Sequence, residues 1–332
     1  MLGIQNMALK FYSKVDTLLD AQIFFSALEL DIYTKLEGGK TVEVLSEVLG
    51  CNSTALEYFL NVLIGEGLLY KEGRVFYLAE ESARFLSKKS SEYIGEVLLF
   101  RKKLSALVNI KELIDSNQEK NTEKLSQNKF FDFAEMAQIN IQEILTFRKQ
   151  TLLAVVNSSC KKGPKNVLDL GGGAGAMLGV IAKQYPCASS YTLFESPVVA
   201  KIAYDYIKQI SLKNTVKIIE GDFLKDDIRN DYDLIIASGI FPFAGNALES
   251  LAEKIYTATQ KDGFLFVYDT SFAEKGRRLV FEKRWLLGNL KAGRPIKKDI
   301  NLDAVLQKVG FSLIKKTADD LYPLFIYQKC KE

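Results

Sequence analysis

The chain has 332 residues, a formal net charge of +3 and no histidine. Such a length exceeds one ordinary domain and predicts two. So small a charge excludes nucleic acid or an acidic lipid surface as the expected partner.

Cys51, Cys160, Cys187 and Cys330 are scattered, with neither a CxxC pair nor a disulfide-type framework, which fits a reducing compartment; no metal site is expected. Met1–Leu30 carries Lys10, Lys14, Asp16 and Asp20 inside its apolar pattern, unlike the uninterrupted apolar core of a signal peptide. Nor is any apolar run long enough to span a bilayer. A cytoplasmic protein without a membrane partner is expected.

Apolar residues at helical spacing predict helices over Val15–Leu30, Val42–Leu49 and Ala55–Leu68. Leu68–Tyr70 and Val75–Leu78 flank Lys71-Glu72-Gly73-Arg74 as a hairpin with a glycine turn. Three helices and a hairpin make a winged helix. Its third helix, Ser53–Gly67, contains no Lys or Arg and carries Glu57 and Glu66, so it lacks the cations on which phosphate neutralisation and base readout depend. Helical periodicity resumes over Glu92–Ile114, the polar stretch Asp115–Asn128 reads as an exposed loop, and one long helix is expected from about Phe131 to Val156.

Past residue 164 the segments NVLDLGG, SYTLFE, VKIIEGD, YDLIIASG and GFLFVYD alternate with helical patterns, which predicts a parallel sheet covered on both faces. FSLIKKTA and PLFIYQKC are separated by only Asp319–Tyr322, too little chain for a crossover helix, so they are expected to form an antiparallel hairpin at the sheet edge.

In such a sheet ligands bind at the carboxyl ends of the strands. The first strand ends at Asp169 and the run Gly171-Gly172-Gly173-Ala174-Gly175, where main chain can approach a ligand closely. The second ends at Glu195, placed to accept both ribose hydroxyls of a nucleoside. The third gives Gly221-Asp222-Phe223, a carboxylate for an adenine amino group beside a ring for the base. The fourth ends in the small residues Ala237-Ser238-Gly239. No GK[ST] follows the glycines, which excludes a P-loop. A nicotinamide site remains a rival, because Gly171, Gly173 and Ala176 satisfy GxGxxA; Asp169, the GDF segment and the terminal hairpin argue against it.

VLDLGGGAGA, TLFESP, IIEGDF and DYDLIIASG closely resemble the cofactor motifs of class I S-adenosylmethionine-dependent methyltransferases. The segment from ALELDIYTKLEGG to FYLAEES resembles the winged-helix dimerisation domain of the caffeate-type and hydroxyneurosporene-type small-molecule O-methyltransferases. The resemblance implies an α/β fold class: a Rossmann-like seven-stranded sheet with a terminal antiparallel hairpin, preceded by a mostly helical winged-helix domain. It implies domains over 1–115 (dimerisation), 116–162 (loop and linking helix) and 163–332 (cofactor binding and catalysis). It also implies a homodimer, with a small-molecule substrate held between domains. S-adenosylmethionine is the implied cofactor, bound by Asp169, Gly171, Gly173, Gly175, Glu195, Ser196, Asp222, Phe223 and Ser238. The implied acceptor walls are Phe133, Met136, Asn140 and Phe147, then Phe241 and Phe243, and finally Trp285 with Leu286, suiting a flat aromatic or apolar acceptor. Core packing is the alternative for many of these. Arg148 is expected to meet an acidic substrate group or the methionine carboxylate, or to sit in a surface salt bridge.

The chain departs from that family where the family carries its histidine base. The position falls at or beside Pro242 in GIFPFAGNALES, between two phenylalanines that accept no proton. A supporting family carboxylate is matched by Asp269 in FVYDTS, whereas KAGRPIKKD offers no match for a second supporting glutamate. Alignment and desolvation supply up to about 7–11 kcal/mol of such a barrier, and a general base adds about 10²- to 10⁴-fold. Loss of histidine therefore need not abolish methyl transfer, and it favours an acidic phenol, a thiol, an amine or an electron-rich ring carbon. Asp269 or a tyrosine is the substitute base; Asp269 also reads as a solvated strand-end acid. Transfer to oxygen is expected. Alternatives are transfer to carbon, nitrogen or sulfur, a non-methylating enzyme that retains the cofactor, or a winged-helix regulator.

Overall fold

The computed structural model describes residues 2–106, 110–111, 132–212, 215–269, 283, 301–317 and 323–329. The chain divides into two compact units, Met1–Ala106 and Leu107–Glu332. The expected limit at residue 115 lies outside the described residues.

In the first unit the helix α1 spans Leu2–Glu29, starting well before the apolar periodicity that announced it. It is followed by α2 (Ile32–Lys35), β1 (Lys40–Thr41), α3 (Val42–Leu49), α4 (Ser53–Gly65), β2 (Leu69–Glu72), β3 (Val75–Leu78), α5 (Glu80–Leu86) and α6 (Gly95–Ala106). Asn52 starts α4 by accepting the Ala55 N–H at 2.9 Å. Gly67, at φ +72°, stops it. The Leu68 and Gly67 amides both donate at 2.9 Å, to the Leu63 and Ile64 carbonyls. This paired closure of a helix end is why α4 finishes short of the expected Leu68. The hairpin gains a third strand, giving the antiparallel order β1-β3-β2. Two residues, Lys40 and Thr41, are too few to announce a strand in the sequence. Ile32, Tyr33, Leu36, Leu45, Leu60, Leu63 and Phe76 fill this unit's core.

The second unit carries a seven-stranded sheet in the order β6-β5-β4-β7-β8-β10-β9. Its strands are β4 (Asn166–Leu170), β5 (Ser190–Glu195), β6 (Val216–Glu220), β7 (Tyr232–Ser238), β8 (Thr259–Tyr268), β9 (Phe311–Lys316) and β10 (Leu324–Lys329). The first five run parallel, and β10 pairs antiparallel with both β8 and β9. Alternate residues face opposite sides: Val167, Leu234, Ile236 and Phe266 join one apolar cluster, while Leu168, Ile235, Ala237 and Leu265 join the other. Burial on both faces explains why these strands read as continuous apolar runs.

The long helix expected over 131–156 is interrupted. It consists of α7 (Phe133–Glu143), a π-helical segment Ile144–Arg148, and α8 (Lys149–Ser159).

Parallel pairing of β4 with β7 sets the crevice at which the strand order reverses. That pairing is pinned at its foot by Asp233, whose carboxylate accepts the Lys165 and Asn166 amides, each at 2.7 Å. Replacing Asp233 with Ala leaves two strand-start donors without their charged acceptor, and a loss of about 2–3 kcal/mol is expected. Urea unfolding of the variant checks it; an unchanged midpoint would show that water replaces the carboxylate at no cost.

Candidate active site

The turn after β4 is shaped by close packing. Gly171, Gly173 and Gly175 all adopt positive φ, at +65°, +61° and +78°. A Cβ on Gly172 would lie 2.4 Å from Asp169 Cγ and 2.5 Å from Leu193 Cδ1, and one on Gly171 would lie 2.5 Å from Ile240 Cγ2. On the other side there is room: at Gly173 the nearest atom is Ala137 Cβ at 3.7 Å, and at Gly239 nothing lies within 4 Å. The turn feeds the helix α9 (Ala176–Gln184), whose N-terminal amides favour negative charge.

Asp169 is 1% exposed. Neither carboxylate oxygen has a hydrogen-bond partner. Burial pushes its carboxyl up to about 7; the nearby Leu178 amide pulls the other way without reaching hydrogen-bond geometry, and the Glu195 charge adds to the rise. A buried acid facing a turn with open main chain is an arrangement that a cationic ligand completes.

Glu195, at the end of β5, accepts the Gly173 amide at 2.9 Å through Oε2 and the Ser196 amide at 2.6 Å through Oε1. The acid expected to receive ribose hydroxyls thus also holds the glycine turn, and each oxygen keeps a lone pair for a further donor. Ser196 precedes the helix α10 (Pro197–Gln209).

Asp222 accepts the Leu224 amide at 3.0 Å and pairs with Lys225 at 2.9 Å. Those contacts, led by Lys225, hold its carboxyl below the usual range. Phe223 lies half-buried beside the turn, with Cε1 3.8 Å from where a Gly171 Cβ would stand. Lys254, on the helix α12 (Leu248–Ala258), reaches the same segment and was not singled out in the sequence.

The π segment brings Arg148 inward. Its guanidinium donates to Ser238 Oγ at 3.1 Å, lies 3.6 Å from Glu143 and stands 5.5 Å from the Tyr268 ring centroid. The Arg148 and Glu143 side chains are only 12% and 3% exposed, which overturns the surface salt bridge expected for Arg148. A five-residue separation matches the i to i+5 repeat of a π turn, so the break in the long helix brings the two side chains onto one face. The same spacing hid Glu143 from helical pattern reading.

Asp269 is 4% exposed at the end of β8, which overturns the reading of it as a solvated acid. The Phe133 and Phe243 rings meet edge to face, 5.9 Å between centroids, and the two residues are 49% and 41% exposed. Met136 and Asn140 on α7 are half-buried, and Phe147 is 38% exposed. Phe241 opens the short helix α11 (Phe241–Ala244) but is 2% exposed within an apolar cluster; the structure assigns it to the core, and Phe243 presents the ring. Trp285 and Leu286 lie outside the described residues. Among the described residues no group of His, Cys, Asp and Glu side chains is placed to hold a metal.

The raised Asp169 carboxyl carries a pH dependence of fixed sign. An unfolded aspartate titrates near 3.9, whereas the folded one holds its proton to about 7. The protonated, buried form therefore stabilises the ligand-free fold below about 4, and that contribution is lost as pH rises to about 7. Asp169→Asn, which does not ionise, is expected to gain stability relative to the natural chain across that window. Unfolding both proteins at successive pH values tests it, and a constant difference between them would refute the assignment.

The O-methyltransferase domain family matches residues 125–312. An uncharacterized protein of Methanocaldococcus jannaschii is 25% identical over 319 residues, covering 89% of this chain and 82% of that one. The N,N-dimethyltransferase OxyT of Streptomyces rimosus is 23% identical over 257 residues, 75% of this chain and 74% of its own. Human N-acetylserotonin methyltransferase, solved in complex with SAM, shares the fold at a TM-score of 0.73 and 20% identity, over 98% of each chain. With the strand-end acids and glycine turn in place, the chain belongs to the O-methyltransferase domain family and is a methyltransferase that uses S-adenosylmethionine.

Proposed function

We propose that the protein methylates the oxygen of a small, flat, aromatic or apolar acceptor. The observation that carries this reading is the pair of exposed rings, Phe133 and Phe243, in T-shaped contact on a unit whose glycine turn is open to a ligand. S-adenosylmethionine supplies an electrophilic methyl group on a positively charged sulfur. Asp169 meets the positive end of the cofactor, Gly171, Gly173 and Gly175 give main chain to it, and Glu195 with Ser196 receives the ribose. Asp222 and Phe223 take the adenine, and Ser238 lies beside the cofactor through its bond to Arg148. Phe133, Met136, Asn140, Phe147 and Phe243 orient the acceptor and exclude water. The Asp269 carboxylate takes the proton of an acceptor hydroxyl, in place of the family histidine that this chain lacks.

Alignment by these side chains accounts for most of the rate on the magnitudes already given, so the base matters least for an acceptor that arrives ionised. Incubation with S-adenosylmethionine and a panel of phenols, catechols, thiols, amines and polycyclic aromatics is expected to give an O-methylated product, with S-adenosylhomocysteine formed in step. Mass spectrometry reads both. A product methylated at nitrogen, sulfur or carbon would overturn the choice of oxygen, and cofactor bound but never consumed would overturn transfer. Asp269→Asn is expected to lower kcat by about 10²- to 10⁴-fold on a weakly acidic phenol and far less on a strongly acidic one. Equal losses on both would remove Asp269 from proton transfer.

The first unit is proposed as a winged-helix dimerisation domain. Phe11, Tyr12, Val15, Leu18 and Leu19 of α1 are each more than half exposed, an apolar surface that a second copy of the chain would cover. A cytoplasmic location is proposed from the free thiols of Cys51, Cys160 and Cys187; among the described residues no helix is long and apolar enough to cross a membrane. Light scattering is expected to give twice the chain mass, and Val15→Glu with Leu18→Glu to give the single chain. A natural chain that runs as a monomer would refute the domain's role.

A further inference from the structure

Asp222 and Phe223 sit on one isolated turn. The Lys225 and Asp226 amides close it by donating to the Asp222 carbonyl at 2.9 and 2.8 Å, and the Asp226 carboxylate accepts the Asp222 amide at 2.8 Å. A helix would carry the following carbonyls to amides one turn later, but here the chain leaves the turn and those acceptors need another donor. Lys254 supplies it. Its ammonium donates to the carbonyls of Phe223, Leu224 and Asp226 at 3.0, 3.2 and 2.8 Å, one for each of its protons. The lysine approaches from α12, on the far side of β7 in sequence from the turn that it closes.

We propose that Lys254 is a positioning residue for the adenine end of the cofactor site, fixing the turn so that the Asp222 carboxylate and the Phe223 ring face the base. The proposal rests on the reading that Asp222 receives the adenine amino group. Lys254 touches neither cofactor nor acceptor in this role and acts through main chain alone. Three carbonyls converging on one ammonium also mean that a neutral side chain of similar length leaves all three unpaired, so the turn relaxes without loss of the sheet.

Calorimetry with S-adenosylhomocysteine and with S-inosylhomocysteine, which lacks the adenine amino group, tests it on the full chain. Lys254→Met is expected to weaken S-adenosylhomocysteine about tenfold and the inosine analogue much less, so that the preference for the amino group collapses. Lys254→Arg is expected to restore most of that preference. An unchanged preference, or equal weakening of both ligands, overturns the proposal, because a merely structural lysine would lower both alike. Asp222→Ala separates the two readings. If that variant loses the preference while Lys254→Met keeps it, Lys254 alone is misassigned; if Asp222→Ala keeps it, the adenine reading itself falls. Should the Met variant fail to fold, Lys254→Gln, which retains an amide donor, is read by the same ratio.

Discussion

The site depends on one steric constraint: the turn after β4 lies so close to Asp169, Leu193 and Ile240 that side chains at Gly171 and Gly172 have no room. Close approach does two things together: it seals the Asp169 carboxyl from water, and it brings the Gly173 amide within reach of Glu195 on the neighbouring strand. The Gly171 amide adds a bond of 2.8 Å to the Phe194 carbonyl, so the turn is anchored to β5 at two successive residues.

Charge at the strand ends follows a pattern. Asp169, Glu195 and Asp222 come from β4, β5 and the segment after β6, three neighbours in the sheet, and place carboxylates in one row. Each is treated differently by its surroundings. Burial raises Asp169, Lys225 and the Leu224 amide lower Asp222, and Glu195 spends one lone pair per oxygen on main chain. A protein that only needed stability would not bury an acid without a partner, since desolvation costs more than apolar contact returns. The row is instead suited to a ligand with a positive centre at one end and hydrogen-bond donors along its length, which describes S-adenosylmethionine.

The parallel strands and the terminal hairpin were legible because β4, β5, β7 and β10 are largely buried and turn residues bound the strands, although β6 and β9 are more exposed. The glycine turn was legible for the same reason that it works, since glycine at such positions has no substitute. Element ends were harder to read. The paired closure at Gly67 trims α4, and β1 is too short to show periodicity. Within the site, residues that act through their own spacing, such as Asp169 and Glu195, stood out. Lys254 did not, because a lysine midway along an amphipathic helix is ordinary until the segment that it reaches is known. Phe241 misled because an aromatic beside the expected histidine position reads the same whether it faces a ligand or the core.

The π turn shows why some chemistry is invisible to pattern reading. Helical spacing pairs residues three or four apart, so Glu143 and Arg148 belong to different faces until the helix widens. Once it does, a buried ion pair forms beside Ser238 and the Tyr268 ring. Such a pair is weak evidence for stability, because the desolvation of two charges offsets most of their attraction. The wider turn also forfeits regular hydrogen bonding. Two unfavourable features within Glu143–Arg148, next to the ends of β7 and β8, are better explained by placement than by folding. The segment sets the Arg148 guanidinium, with Glu143 beside it, against Ser238 at the end of β7.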